Sequence, residues 1–174
     1  MSNNHVIWLV GLSASGKTTI GRDLVNRLRA LDRPTVFIDG DEIRSIFKHD
    51  DLERSYSVEE RRKNAERIFE MTRWLHRQEV TVVCSILCIF QDILDANAEA
   101  YGELYKEIYI QASLEAVAQR SPKDLYGKAR RGEMNNVVGL DIPYPPPKAP
   151  SLTIDNDVEL VNLEDASTRI LELL

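Results

Sequence analysis

The chain has 174 residues, 43% hydrophobic and 29% charged, which fits a globular protein with a full core and excludes a disordered one. Its formal net charge of −6 argues against a binder of nucleic-acid polymers, whose phosphates reward a basic surface. No apolar run approaches the length of about 18 residues that a membrane span needs, no charged-then-apolar leader opens the chain, and Cys84 and Cys88 have no histidine nearby. The expectation is a cytoplasmic protein with no membrane partner, zinc site or disulfide framework.

In chain order, the apolar run Val6–Val10 reads as a buried strand. Directly after it stands Gly11-Leu-Ser-Ala-Ser-Gly-Lys17-Thr18-Thr19, which fits G-x-x-x-x-G-K-[ST]. Glycines at this spacing let successive backbone N–H groups turn toward one anion. The lysine reaches outer phosphates and the Thr18 hydroxyl suits Mg²⁺. Residues 19–31, with Ile20, Leu24, Leu28 and Leu31 at helical spacing, predict a helix whose N-terminus completes an anion site. Strand, glycine loop and helix together predict a bound nucleoside triphosphate. As ATP with Mg²⁺, it would be held by Gly11, Ser13, Ala14, Ser15, Gly16, Lys17, Thr18 and Thr19.

Residues 35–38 predict a second strand ending in Asp39-Gly-Asp41, with Arg44 three positions on. In an open parallel sheet the carboxyl ends of the strands line the ligand crevice. A carboxylate there can take a proton from an attacking hydroxyl or hold water on Mg²⁺. The plainer alternative is a turn with Asp41 as a helix cap. Ser57-Val-Glu-Glu60 is a capping box that opens a long helix to about residue 78, burying Val58, Ala65, Ile68, Thr72 and Leu75. Arg61 and Asn64, three apart near its start, suit a bound anion; a solvated helix face is the competing reading.

Residues 80–85 and 107–110 predict the third and fourth strands, and 114–119 a helix. The third strand ends in Cys84-Ser85 where a Walker B strand carries Asp, leaving Mg²⁺ to Thr18, phosphates and water. Residues 121–136 have little apolar periodicity and carry Lys123, Lys128, Arg130 and Arg131. They read as part of a mobile basic lid at about 120–140, with a plain surface loop as the alternative. The prolines from Pro143 to Pro150 make a stiff connector, 152–154 a last strand and 165–174 a closing helix. His5, His49 and His76 fit no catalytic arrangement. The alternation of strand and helix predicts one α/β domain over 1–174, a three-layer P-loop fold with a parallel sheet of about five strands.

These blocks, taken in order, resemble the adenylylsulfate kinase family, whose members phosphorylate the ribose 3′-hydroxyl of adenosine 5′-phosphosulfate. The resemblance rests on residues 11–18, on Asp-Gly-Asp-Glu-Ile-Arg at 39–44, on Arg61 with Asn64, and on Pro-Lys-Asp-Leu-Tyr-Gly-Lys-Ala-Arg-Arg-Gly-Glu at 122–133. Gly139-Leu-Asp141 with Pro143-Tyr144 follows. It implies that Asp41 accepts the hydroxyl proton and works with Lys17, and that Arg44 and Arg61 grip the substituted phosphate. Asn64 would bind substrate, Tyr56 stack on its base, Lys123 sit near it and Arg120 lie near the ATP base. Asp39, Ser85, Ile86, Leu87 and Val137 fall on the substrate side by the same resemblance. It also implies a homodimer.

Two departures stand out. The family's S-F-I-S-P-Y-R is here Ser85-Ile-Leu-Cys-Ile-Phe-Gln91, and its F-T-G-I-D is Val137-Val-Gly-Leu-Asp141, without the phenylalanine that walls the base. They resemble a branch acting on cytidine diphosphoramidate in surface and capsule polysaccharide pathways. On this reading that acceptor is favoured over adenylylsulfate. A silent ATP-binding module is the alternative of another class; it would be expected to lack Lys17, Thr18 or Asp41, and all three are present.

Overall fold

The strands are β1 (Val6–Val10), β2 (Thr35–Asp39), β3 (Thr81–Ile86), β4 (Tyr105–Gln111) and β5 (Leu152–Asp155). In the computed structural model, which describes residues 4–47, 56–121, 124–157 and 160–174, they form one parallel sheet in the order β2-β3-β1-β4-β5. Each strand begins and ends within one residue of its predicted limits, apart from β4, which starts two residues early at Tyr105. β1 is wholly buried because both sheet faces are covered. Its alternate residues serve two cores: Val6, Trp8 and Val10 one face, Ile7 and Leu9 the other.

The helices are α1 (Lys17–Ala30), α2 (Gly40–Ile46), α3 (Val58–His76), α4 (Gln91–Tyr101), α5 (Leu114–Arg120), α6 (Leu125–Arg130) and α7 (Leu163–Leu171). Helices α3 and α4 bury Ile68, Ile93 and Leu94 on the Trp8 face, while α1 and α7 bury Leu24, Leu28 and Ile170 on the Leu9 face. This is the three-layer P-loop architecture. Helix α4 was not predicted; it occupies the segment between the third and fourth strands. Helix α6 forms within the segment read as a lid, and α7 starts at Leu163 because the Asn162 side chain caps the N–H groups of Glu164 and Asp165.

The Ser57 cap is present, its hydroxyl accepting from the Glu60 N–H at 3.3 Å. Ala65, Ile68 and Thr72 are buried as the period of α3 predicts. Val58 is not: in the first turn it faces outward and is 47% exposed. Leu75 is half-buried. His5 is buried, and His76 contacts the Asn4 carbonyl at 3.1 Å and the edge of Tyr101. His49 lies outside the described residues.

Candidate active site

Parallel register gathers the site. Asp39 at the end of β2 pairs with Ser85 on β3, and Ile86 pairs with Val10, one residue before the glycine loop. Three strand ends therefore meet at one edge of the sheet, above a cavity of about 450 Å³. Its lining includes Ser13, Ala14, Gly16, Lys17, Thr18 and Thr19 on one side. Asp39, Asp41, Arg44, Tyr56, Arg61, Asn64, Ser85, Ile86 and Leu87 line the other, and Arg120 is also in the lining. Gly11 and Ser15 shape the loop from behind rather than lining it, both being buried. A Cβ on Gly11 would stand 2.5 Å from the Ile110 carbonyl oxygen, so the loop closes onto β4 only with glycine there. Gly16 has φ +101°, a conformation that favours glycine.

Lys17 begins α1 and is buried, its ammonium donating to the Leu12 carbonyl and lying 3.4 Å from the Ser15 hydroxyl. Burial lowers its pKa to about 8, with Asp41 and Asp39 opposing the shift. Thr18 Oγ1 donates to Asp39 Oδ2 at 2.7 Å and lies 3.2 Å from Ser85 Oγ. The carboxylate missing from the end of β3 is thus supplied by the neighbouring strand. A hydroxyl and a carboxylate side by side are the oxygen donors a hard cation prefers, so these residues fit Mg²⁺ beside a phosphate loop.

Asp39 also caps α2, its Oδ1 accepting from the Asp41 N–H at 2.9 Å. The cap is therefore Asp39, and Asp41 is free of that task. Asp41 stands in the first turn of α2 with its side chain largely exposed, and accepts from Arg44 Nη1 at 2.7 Å.

Arg61 and Asn64 are buried, which excludes the solvated-face reading. Arg61 donates to the carbonyls of Tyr56 at 2.9 Å and Asn136 at 3.0 Å, and Asn64 Nδ2 to that of Gly40 at 3.0 Å. Asn64 Oδ1 and Arg44 Nε are buried without a hydrogen-bond partner. Both guanidinium groups lie over the Tyr56 ring, at 5.1 Å for Arg44 and 5.5 Å for Arg61. Burial, then the charge of Arg44, lowers Arg61 to about 10, so it stays cationic at neutral pH. Two cations close together beside one exposed carboxylate leave an excess of positive charge suited to an anion.

Val137 does not line the cavity. It is packed behind the wall with Leu12, Val117 and Tyr126, and its neighbour Val138 faces inward. Lys123 lies outside the described residues. Cys88 is buried in the core beneath α4, its thiol directed at the Phe90 carbonyl at 3.6 Å, and burial pushes its pKa up to about 12. Sequence reasoning missed Asn156, which lines the cavity just after β5, and Tyr126, whose hydroxyl donates to the Ser13 carbonyl at 3.1 Å. The position of Asn156 at the carboxyl end of a parallel strand was the available signal.

Residues 3–155 match the family model described as adenylylsulphate kinase. A cytidine diphosphoramidate kinase from Campylobacter jejuni is 36% identical over all of this chain and 99% of its own. A probable adenylyl-sulfate kinase from Aeropyrum pernix is 37% identical over 87% of this chain and 83% of its own. The structure of the Mycobacterium tuberculosis APS kinase CysC in complex with AMPPNP and APS has a TM-score of 0.85, at 24% identity over 98% of this chain and 96% of that one. No helix among the described residues is long and apolar enough to cross a membrane.

The preference for a cytidine acceptor is corrected by these findings. Six of the relatives compared are adenylyl-sulfate kinases, two of them named as probable, against one cytidine diphosphoramidate kinase. The physical reason is that Val137, whose missing ring prompted the preference, is no wall of the cavity, and Cys88 is a core residue; Ile86, Leu87 and Val138 of the altered blocks do line it. With its phosphate loop, its second-strand carboxylates and its paired arginines, the chain belongs to the adenylylsulphate kinase family and is a nucleotide-phosphorylating kinase of that P-loop type.

Proposed function

We propose that the chain is an adenylylsulfate kinase, transferring the γ-phosphoryl group of ATP to the ribose 3′-hydroxyl of adenosine 5′-phosphosulfate. The observation that supports this most is that the phosphate loop and the Arg44–Arg61 pair line one cavity, with Asp41 also in its lining and hydrogen-bonded to Arg44. Arg44 and Arg61 grip the sulfated phosphate, Tyr56 offers its ring to the base, and the unpartnered Asn64 Oδ1 accepts from the acceptor nucleotide. Asp41 takes the proton from the 3′-hydroxyl as that oxygen attacks phosphorus, and Lys17 balances charge on the group in transfer. Thr18 and Asp39 would hold Mg²⁺, which neutralises phosphate charge when bound. Arg120 stands on the donor-base side, and residues 120–140 act as the lid of a single kinase domain. A cytoplasmic setting and a homodimer belong to the proposal on the family resemblance alone.

The test is ADP release from ATP with adenylylsulfate as acceptor. The wild type turns over, and Asp41→Asn lowers kcat by about 10²–10⁴-fold while binding ADP as before. Absence of adenylylsulfate-dependent ADP release from the wild type refutes the proposal.

A further inference from the structure

We infer that Asn156 is a positioning residue for the phosphate loop: its side-chain amide fixes the Ser15–Gly16 peptide so that the Gly16 N–H faces the donor phosphates. The inference deepens the ATP reading above and rests on it.

Asn156 is buried. Its Nδ2 donates to the Ser15 carbonyl at 2.8 Å, and its Oδ1 accepts from the Val161 N–H at 2.9 Å. One end of the amide meets an acceptor and the other a donor, so its orientation is determined. A trans peptide is planar, with C=O and N–H pointing in opposite directions. Holding the Ser15 oxygen against Asn156 therefore turns the Gly16 N–H to the other side, into the concavity of a loop whose N–H groups cradle phosphates. The amide also lies against Gly16: a Cβ there would be 2.5 Å from Nδ2. The loop and the amide leave each other no slack.

The backbone of the same residue ties down its surroundings. The Asn156 N–H continues the β4–β5 ladder to the Gln111 carbonyl at 2.9 Å. Its own carbonyl accepts from Arg120 Nη1 at 2.5 Å. The next residue, Asp157, makes no bond to the loop; its Oδ1 accepts from the N–H and hydroxyl of Ser113 at the start of α5, at 2.9 and 2.6 Å. Two adjacent residues thus offer a contrast. Asn156 acts on the phosphate loop, and Asp157 only on the helix.

The experiment measures Mg²⁺–ADP affinity by calorimetry, KM for ATP and KM for adenylylsulfate in the full chain. Asn156→Ala loses both side-chain hydrogen bonds, of which the one to the Ser15 carbonyl is expected to weaken ADP about tenfold, raising KM for ATP by a similar factor and leaving KM for adenylylsulfate unchanged. Asn156→Asp keeps the volume and the Val161 bond. It sets a carboxylate oxygen against the Ser15 carbonyl, so it weakens ADP further, and it decides the matter if the alanine variant fails to fold. Asp157→Ala lowers the melting temperature but binds ADP as the wild type does. A folded Asn156→Asp protein with wild-type ADP affinity overturns the inference alone, as does an equal rise in both KM values. A wild type that does not bind ADP overturns the ATP reading and the inference with it.

Discussion

Replacing Lys17 by methionine should make the ligand-free protein more stable at neutral pH. Burial takes this lysine from an ordinary 10.5 to about 8, even with Asp41 and Asp39 opposing the shift. At about 1.4 kcal/mol per pH unit, holding the charge inside costs the native state about 3 kcal/mol below pH 8. Methionine fills similar space without the charge, but it leaves the Leu12 carbonyl without its donor, a loss of about 1 kcal/mol. The net expectation is a gain of about 1–3 kcal/mol at pH 7. The gap closes as pH rises, and once the lysine is neutral the missing Leu12 bond leaves the variant about 1 kcal/mol behind. Between about 8 and 10.5 the native wild type sheds the proton that the unfolded chain keeps, so wild-type stability rises through that window and the variant gains nothing from it. Urea unfolding of both proteins at pH 7, 8.5 and 10 measures this directly, since other titrating groups are common to the pair. A variant no more stable than wild type at pH 7, or a gap that stays constant to pH 10, refutes the reasoning.

Three further outcomes follow from packing. Burial raises the pKa of both Cys84 and Cys88, so iodoacetamide at pH 8 should label neither in the folded protein and both in urea, as intact mass reports. Incubation with ATP should likewise leave no phosphate on Cys88. Val137→Phe forces a large ring into the filled space behind the cleft wall and should destabilise by about 1–3 kcal/mol in urea unfolding. An unchanged midpoint would show that the cluster with Leu12 and Tyr126 has room.

What could be read from the residues alone follows from where information is contiguous. The phosphate loop and its flanking strand and helix are one uninterrupted pattern, and the five strands are apolar runs bounded by polar residues. Helix α4 escaped because its buried face is thin, Ile93 and Leu94 being followed by the buried polar Asn97. Arg61 and Asn64 looked equally suited to solvent because a charged, amidic stripe has that pattern; their burial comes from contacts with Tyr56, Gly40 and Asn136, which no local period encodes. That a carboxylate after β2 could serve Mg²⁺ was legible, but the direct bond of Thr18 to Asp39 becomes visible only once Asp39 is known to lie level with Ser85. In the irregular stretch around Val137 and Val138 both side chains join one buried cluster and only Val138 also lines the cleft, a difference no spacing rule tells.

The sheet order divides the labour of the cleft. The glycine loop springs from β1, flanked by strands on both sides, whereas Asp39 and Asp41 follow β2, which has a neighbour on one side only. Substitutions along that rim disturb fewer neighbours than changes at the centre. Acceptor preference can therefore drift while the phosphate-loop half stays fixed, and such a layout accommodates relatives whose names carry two different acceptors on a common scaffold.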